Sequence, residues 1–222
     1  MNPIAASTRT LMAFGNGFQV LQRLARLPLS RETCDFCRVP LTPRHRHLLE
    51  IANRKMICAC DPCALRFQNV VGGRFKLVPR DARLLHDFAI SDAAWDSLAL
   101  PINLAFFFLG STSGKITAMY PSPAGATESL LPLDHWCELI VENPRLEKLE
   151  PDVEALLVNR VRAPYEYYSA PIDACFELVG LIRTHWRGLS GGEAVWREIG
   201  RFFDRLRSQT QTSTRVAGVC HA

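Results

Sequence analysis

No apolar run in the sequence approaches the roughly 18 residues that a membrane-spanning helix needs. The longest, LAFFFL from Leu104 to Leu109, reads instead as a buried strand. The start, MNPIAASTRTLMAFGNG, lacks a basic stretch followed by an apolar one. A secretion signal is therefore not expected, and the expected location is the cytoplasm. There is no GxSxG elbow for a serine nucleophile and no GxxxxGK[ST] loop to cradle phosphates. Hydrolase and phosphate-loop readings thus find no support. No internal repeat is present. Of 222 residues, 48% are apolar and 22% charged, which suits one large domain, or a domain with a small appendage.

Cysteine is what the sequence has in excess. Five of its eight cysteines fall between Cys34 and Cys63, while Cys137, Cys175 and Cys220 are scattered. A disulfide framework suits a small secreted chain; dense local cysteines in a cytosolic one bind metal. Cys34-x2-Cys37 and Cys60-x2-Cys63 are separated by 22 residues. A two-residue gap lets both sulfurs of a tight turn reach one ion, and two such pairs complete a tetrahedron. Zinc is the expected ion, with iron in a rubredoxin-like centre as the alternative. Such a four-thiolate site leaves no coordination position open, so it staples a fold rather than catalysing a reaction. Cys58 either replaces Cys60 as a ligand or lies behind the site on a strand. His45 and His47 are read as solvated strand positions.

The surrounding pattern orders these residues. HLLEI, the turn ANR and KMICA form a hairpin. Asp61 is the expected N-cap of a helix with Pro62 in its first turn, and its dipole would favour thiolates at Cys60 and Cys63. GGRFKLVPR gives a turn and a short strand. Before the cysteines, residues 16–27 have helical spacing, ended by Pro28. After them, SDAAWDSLALP is a short helix, and LAFFFL and KITAMY are strands joined by the loop GSTSG. Helices are expected over LDHWCELIVENP, EPDVEALLVNRVR, APIDACFELVGLIRTHW and SGGEAVWREIGRFFDRL. The third carries Ile172, Phe176, Val179, Ile182 and Trp186 on one face; the fourth has Ser190 and Glu193 in capping-box spacing and a stripe of Val195, Ile199, Phe202 and Leu206. PYEYY is a Tyr-rich surface or strand. Asp134, His135 and Cys137 do not face one another on a helix, so no catalytic group is assigned there.

The expected organisation is an arm with a short helix over 1–27, a cysteine-rich module over 28–80, a body over 81–207 and a disordered tail over 208–222. The fold class is α+β: an N-terminal treble-clef or ribbon-like zinc module, then a mixed α/β body with a small antiparallel sheet and several helices. Net charge divides along the same line. The module has ten basic against four acidic residues, the body twelve against eighteen. Attraction between the two, or an acidic partner for the module, follows. The loop YPSPAGATES places Pro121, Ser122, Thr127, Glu128 and Ser129 where a protein client would dock, or where a rigid turn would be capped. Nucleic acid is the less favoured partner, with Arg44, Arg46, Arg54, Lys55 and Arg66 as phosphate contacts; the acidic body and the absence of interleaved aromatics weigh against it.

CDFC, HLLEI and ICACDPC, with FFF before YPSPAGATESLL, then PDVEALLVNR and PIDACFELVGLIR, resemble an uncharacterised bacterial family, domain of unknown function 5947, over about residues 30–205. The resemblance implies no assigned activity and no catalytic residue. It implies an accessory or maturation role, because members are encoded near nickel–iron hydrogenase genes. The expected function is a non-enzymatic accessory factor, with hydrogenase subunits as the client.

Overall fold

The computed structural model describes residues 32–68, 73–129 and 143–217. The expected helix over 16–27, all but the end of that over 133–144, Cys137 and Cys220 lie outside them.

Strand β1 (Arg46–Glu50) pairs with β2 (Lys55–Ala59), and β3 (Phe75–Leu77) pairs with the other edge of β1. Arg54 closes the hairpin with φ 53°, and Asn53 ties it by accepting from Lys55 N at 3.0 Å and donating to Glu50 at 2.7 Å. Helix α1 (Asp61–Phe67) follows β2. Its N-cap is Cys60 rather than Asp61; Asp61 is the first helical residue, where its carboxylate favours the positive end of the dipole. Phe36, Phe67 and Phe75 pack together, the first two stacked at 4.3 Å.

The body is a six-stranded antiparallel sheet in the order β4-β9-β8-β5-β6-β7. These are Arg83–Leu84, Leu104–Gly110 (β5), Lys115–Ser122 (β6), Gly125–Glu128 (β7), Glu154–Asn159 (β8) and Glu166–Pro171 (β9), the first being β4. Both faces of its centre are covered. Phe106, Phe108, Ala155 and Leu157 pack under helices α3 (Ile172–His185) and α4 (Gly192–Ala217). Ala105, Phe107, Leu156 and Val158 pack with Phe88, Ile90, Trp95 and Leu146 on the other side, where α2 (Asp92–Ser97) and a 3-10 turn (Pro144–Lys148) lie. A strand buried on both faces loses its alternation and reads as a continuous apolar run.

That is why the expected helix over 150–162 is a strand. EALLVN has helix-forming residues, but burial between two layers decides its state. The stretch YPSPAGATES is likewise not a free loop: β6 and β7 pair through it, Pro121 opposite Ala126 and Ser122 opposite Gly125. Helix α4 runs through Ala217, past the boundary expected at Ser208. On α3, Cys175 and Leu178 fill the core, while Phe176 is 41% exposed. The stripe Val195, Ile199, Phe202 and Leu206 is buried as its spacing requires.

Successive residues of β1 point to opposite sides. Leu48 enters the module's small core with Ile57, Ala59 and Ala64. Leu49 enters the body's core. Lys76 adds a polar link, 3.1 Å from the Asp152 carboxylate and donating to the Pro151 carbonyl at 3.0 Å.

Candidate metal centre

A tight turn presents the first cysteine pair. Arg38 N donates to Cys34 O at 2.8 Å, Cys34 N donates to Val39 O at 2.9 Å, and Arg38 absorbs the turn at φ 65°. Asp35 fastens this turn to β2: its N–H donates to Cys58 O at 2.9 Å and its carboxylate accepts from Cys58 N at 2.8 Å. The second pair brackets the start of α1. The four sulfurs of Cys34, Cys37, Cys60 and Cys63 lie within 4.8 Å of one another, and those of Cys37 and Cys60 are 3.6 Å apart. Sulfurs around a tetrahedral zinc stand about 3.8 Å apart, from a Zn–S bond near 2.3 Å. The group can therefore hold a metal ion.

Its electrostatics fit a cation. Burial pushes the Cys34 thiol up, but the backbone N–H groups of Cys60, Cys37 and Phe36 outweigh it and bring Cys34 down to about 6. Burial, then the neighbouring sulfurs of Cys60, Cys37 and Cys34, push Cys63 up to about 12. The Cys63 N–H favours the Cys60 thiolate, yet burial and the Cys37 and Cys34 sulfurs leave Cys60 raised. One thiolate forms readily and opposes the formation of the next. A divalent cation removes that opposition.

Cys58 is not part of this group. It lies with His45 and His47, whose ring nitrogens and the Cys58 sulfur come within 4.8 Å of one another. Burial raises the Cys58 thiol, and Glu32 and Asp35 raise it further. The two histidines are not solvated strand positions: the His45 side chain is 5% exposed and that of His47 27%. The alternation H-R-H contained the signal, because residues two apart share a strand face. What covers that face, Asp173 of α3, is 126 residues from His47.

The residues expected to meet a client are engaged locally. Ser122 Oγ donates to Gly125 O at 2.9 Å and accepts from Ala124 N at 3.2 Å and from Thr127 Oγ1 at 3.0 Å. Glu128 ends β7, and Ser129 N donates to Ala118 O at 2.9 Å. Pro121 and Ser122 lie on β6, and Thr127 and Glu128 on β7, the outer strand of the sheet among the described residues. The basic residues are dispersed. Arg46 pairs with Asp61 at 3.2 Å, Arg54 lies over the Phe108 ring at the far end of the hairpin, Lys55 opens β2, and Arg66 ends α1. Arg44, with His45, His47, Arg80, Asp173 and Arg205, lines a cleft of about 680 Å³ between module and body. No helix of the described residues is long and apolar enough to cross a membrane.

A family model described as "Family of unknown function (DUF5947)" matches residues 33–210. No curated protein and no solved structure matches the chain.

Proposed function

The chain belongs to the DUF5947 family, and from that premise we propose that it is a non-enzymatic zinc-binding accessory protein of metalloenzyme assembly. The carrying observation is the convergence of Cys34, Cys37, Cys60 and Cys63 within 4.8 Å. Four thiolates on a closed tetrahedron suit zinc as a folding staple, since no position is left for substrate. The order of knuckle, hairpin and helix N-terminus supports a treble-clef-like module. The client is a metalloenzyme subunit, a nickel–iron hydrogenase by the role the family resemblance implies. It docks at the β6–β7 end of the sheet, at Pro121, Ser122, Thr127, Glu128 and Ser129, where the outer strand β7 suits pairing with an extended segment.

Metal analysis of anaerobically purified full-length protein tests the staple. Colourless protein with zinc that is lost in Cys37→Ser/Cys60→Ser is the expected result; a red protein with stoichiometric iron replaces zinc by a rubredoxin-like centre. Affinity capture from a native host tests the client: recovery of no hydrogenase component removes the assembly role and leaves the staple standing.

A further inference from the structure

His45 immediately precedes β1 and His47 is its second residue; two residues apart on extended chain, their rings share one face, 4.7 Å between centroids. In the β1–β2 register His47 sits opposite Cys58, which brings the sulfur beside both rings. The Cys58 backbone is fixed in turn by its two hydrogen bonds to Asp35.

The hydrogen bonds on the other side of each ring decide its tautomer. His45 Nδ1 lies 3.0 Å from the Thr42 carbonyl oxygen. A carbonyl only accepts, so Nδ1 carries the proton and the neutral ring keeps its lone pair on Nε2. His47 Nδ1 lies 2.7 Å from the Asp173 carboxylate, with the same consequence. Both rings thus offer Nε2 as a donor to an electrophile. His45 Nε2 is buried and has no hydrogen-bond partner, on a side chain only 5% exposed. Histidines that ligate metal are held in this way, with the second ring N–H given to a carbonyl or carboxylate.

We propose that His45, His47 and Cys58 form a second metal site, separate from the four-cysteine centre, which binds a zinc-class divalent cation and keeps an open coordination position towards the cleft. Two imidazoles and one thiolate suit zinc and its transition-metal neighbours; calcium and magnesium require oxygen donors. Three protein ligands with a solvent-facing fourth position is the arrangement of a reactive or exchangeable metal rather than a staple. His45, His47 and Asp173 line the cleft of about 680 Å³, so water or a small oxygen-donor ligand reaches that position. The site goes beyond the accessory reading and does not depend on it.

Cobalt(II) titration of chelator-stripped, reduced full-length protein tests the site. Two equivalents are expected. One has the intense sulfur-to-cobalt absorption of a tetrathiolate; the other has roughly a quarter of that intensity, for one thiolate against four. Cys58→Ser and the double variant His45→Gln/His47→Gln abolish the weaker equivalent. The retained tetrathiolate band reports that each variant is folded. Asp173→Asn removes no ligand and weakens the weaker equivalent by about 10- to 100-fold. Cys37→Ser/Cys60→Ser deletes the intense band and spares the weaker one, which separates failure of this site from failure of the staple. Saturation of the wild type at one equivalent, or a second equivalent insensitive to Cys58→Ser and Asp173→Asn, overturns the proposal.

Discussion

The fold itself favours loss of the Cys34 proton, through N–H groups of the two knuckles. Its thiol sits at about 6, below its ordinary value near 9, so near neutral pH a metal finds Cys34 already ionised. Below pH 6 the metal must expel that proton as well, and its apparent affinity falls more steeply. Competition with a chromophoric chelator between pH 5 and 7.5 will show log K against pH steepening by about one proton as pH drops through 6. An unchanged slope would mean that the N–H groups do not hold the Cys34 thiolate. The spacing of the two CxxC pairs made these four residues legible, because a two-residue knuckle has a local geometry. Cys58 was ambiguous for the opposite reason: its companions are set by strand register and by a helix far along the chain.

Elements were legible where local chemistry decides them. The hairpin at ANR, the Ser91-capped helix α2 and the stripe of α4 each carry their own signal. Strand β8 does not, since its apolar run answers to layers that come from elsewhere in the chain. Immediately after β8, Arg160 shows how those layers are joined. Its side chain is 4% exposed, donates to the Ile90 carbonyl at 3.0 Å, pairs with Asp92 at the start of α2, and lies over the Trp95 and Tyr165 rings at 5.3 and 4.4 Å. A lysine keeps the charge but loses the planar fork and the stacking. Arg160→Lys is therefore expected to destabilise by about 1–3 kcal/mol. Arg201→Lys, on α4 where the Arg201 side chain is 62% exposed beside Glu198, should stay within about 0.5 kcal/mol. Urea denaturation compares the two, and equal effects would refute the role given to Arg160.

At the scale of the whole molecule, the charge shift near residue 80 suggests two parts, yet β1 is a wall shared by both. Leu48 is buried in the module's core and Leu49 in the body's. The Lys76–Asp152 and His47–Asp173 contacts cross the same boundary. The module cannot melt without exposing Leu49, Val78 and the part-buried Met56 against the body. Metal binding should therefore stabilise the entire chain. A thousandfold excess of zinc over its dissociation constant contributes about 4 kcal/mol. At about 2–4 °C per kcal/mol for a chain of this size, chelation should lower the midpoint of one common transition by about 8–16 °C. Leu48→Ala and Leu49→Ala should each destabilise that same transition by about 2–5 kcal/mol. Calorimetry with and without chelator decides the matter. Two transitions, with only the smaller moving on chelation, would show a module that folds alone and a boundary at residue 80 that is physical as well as compositional.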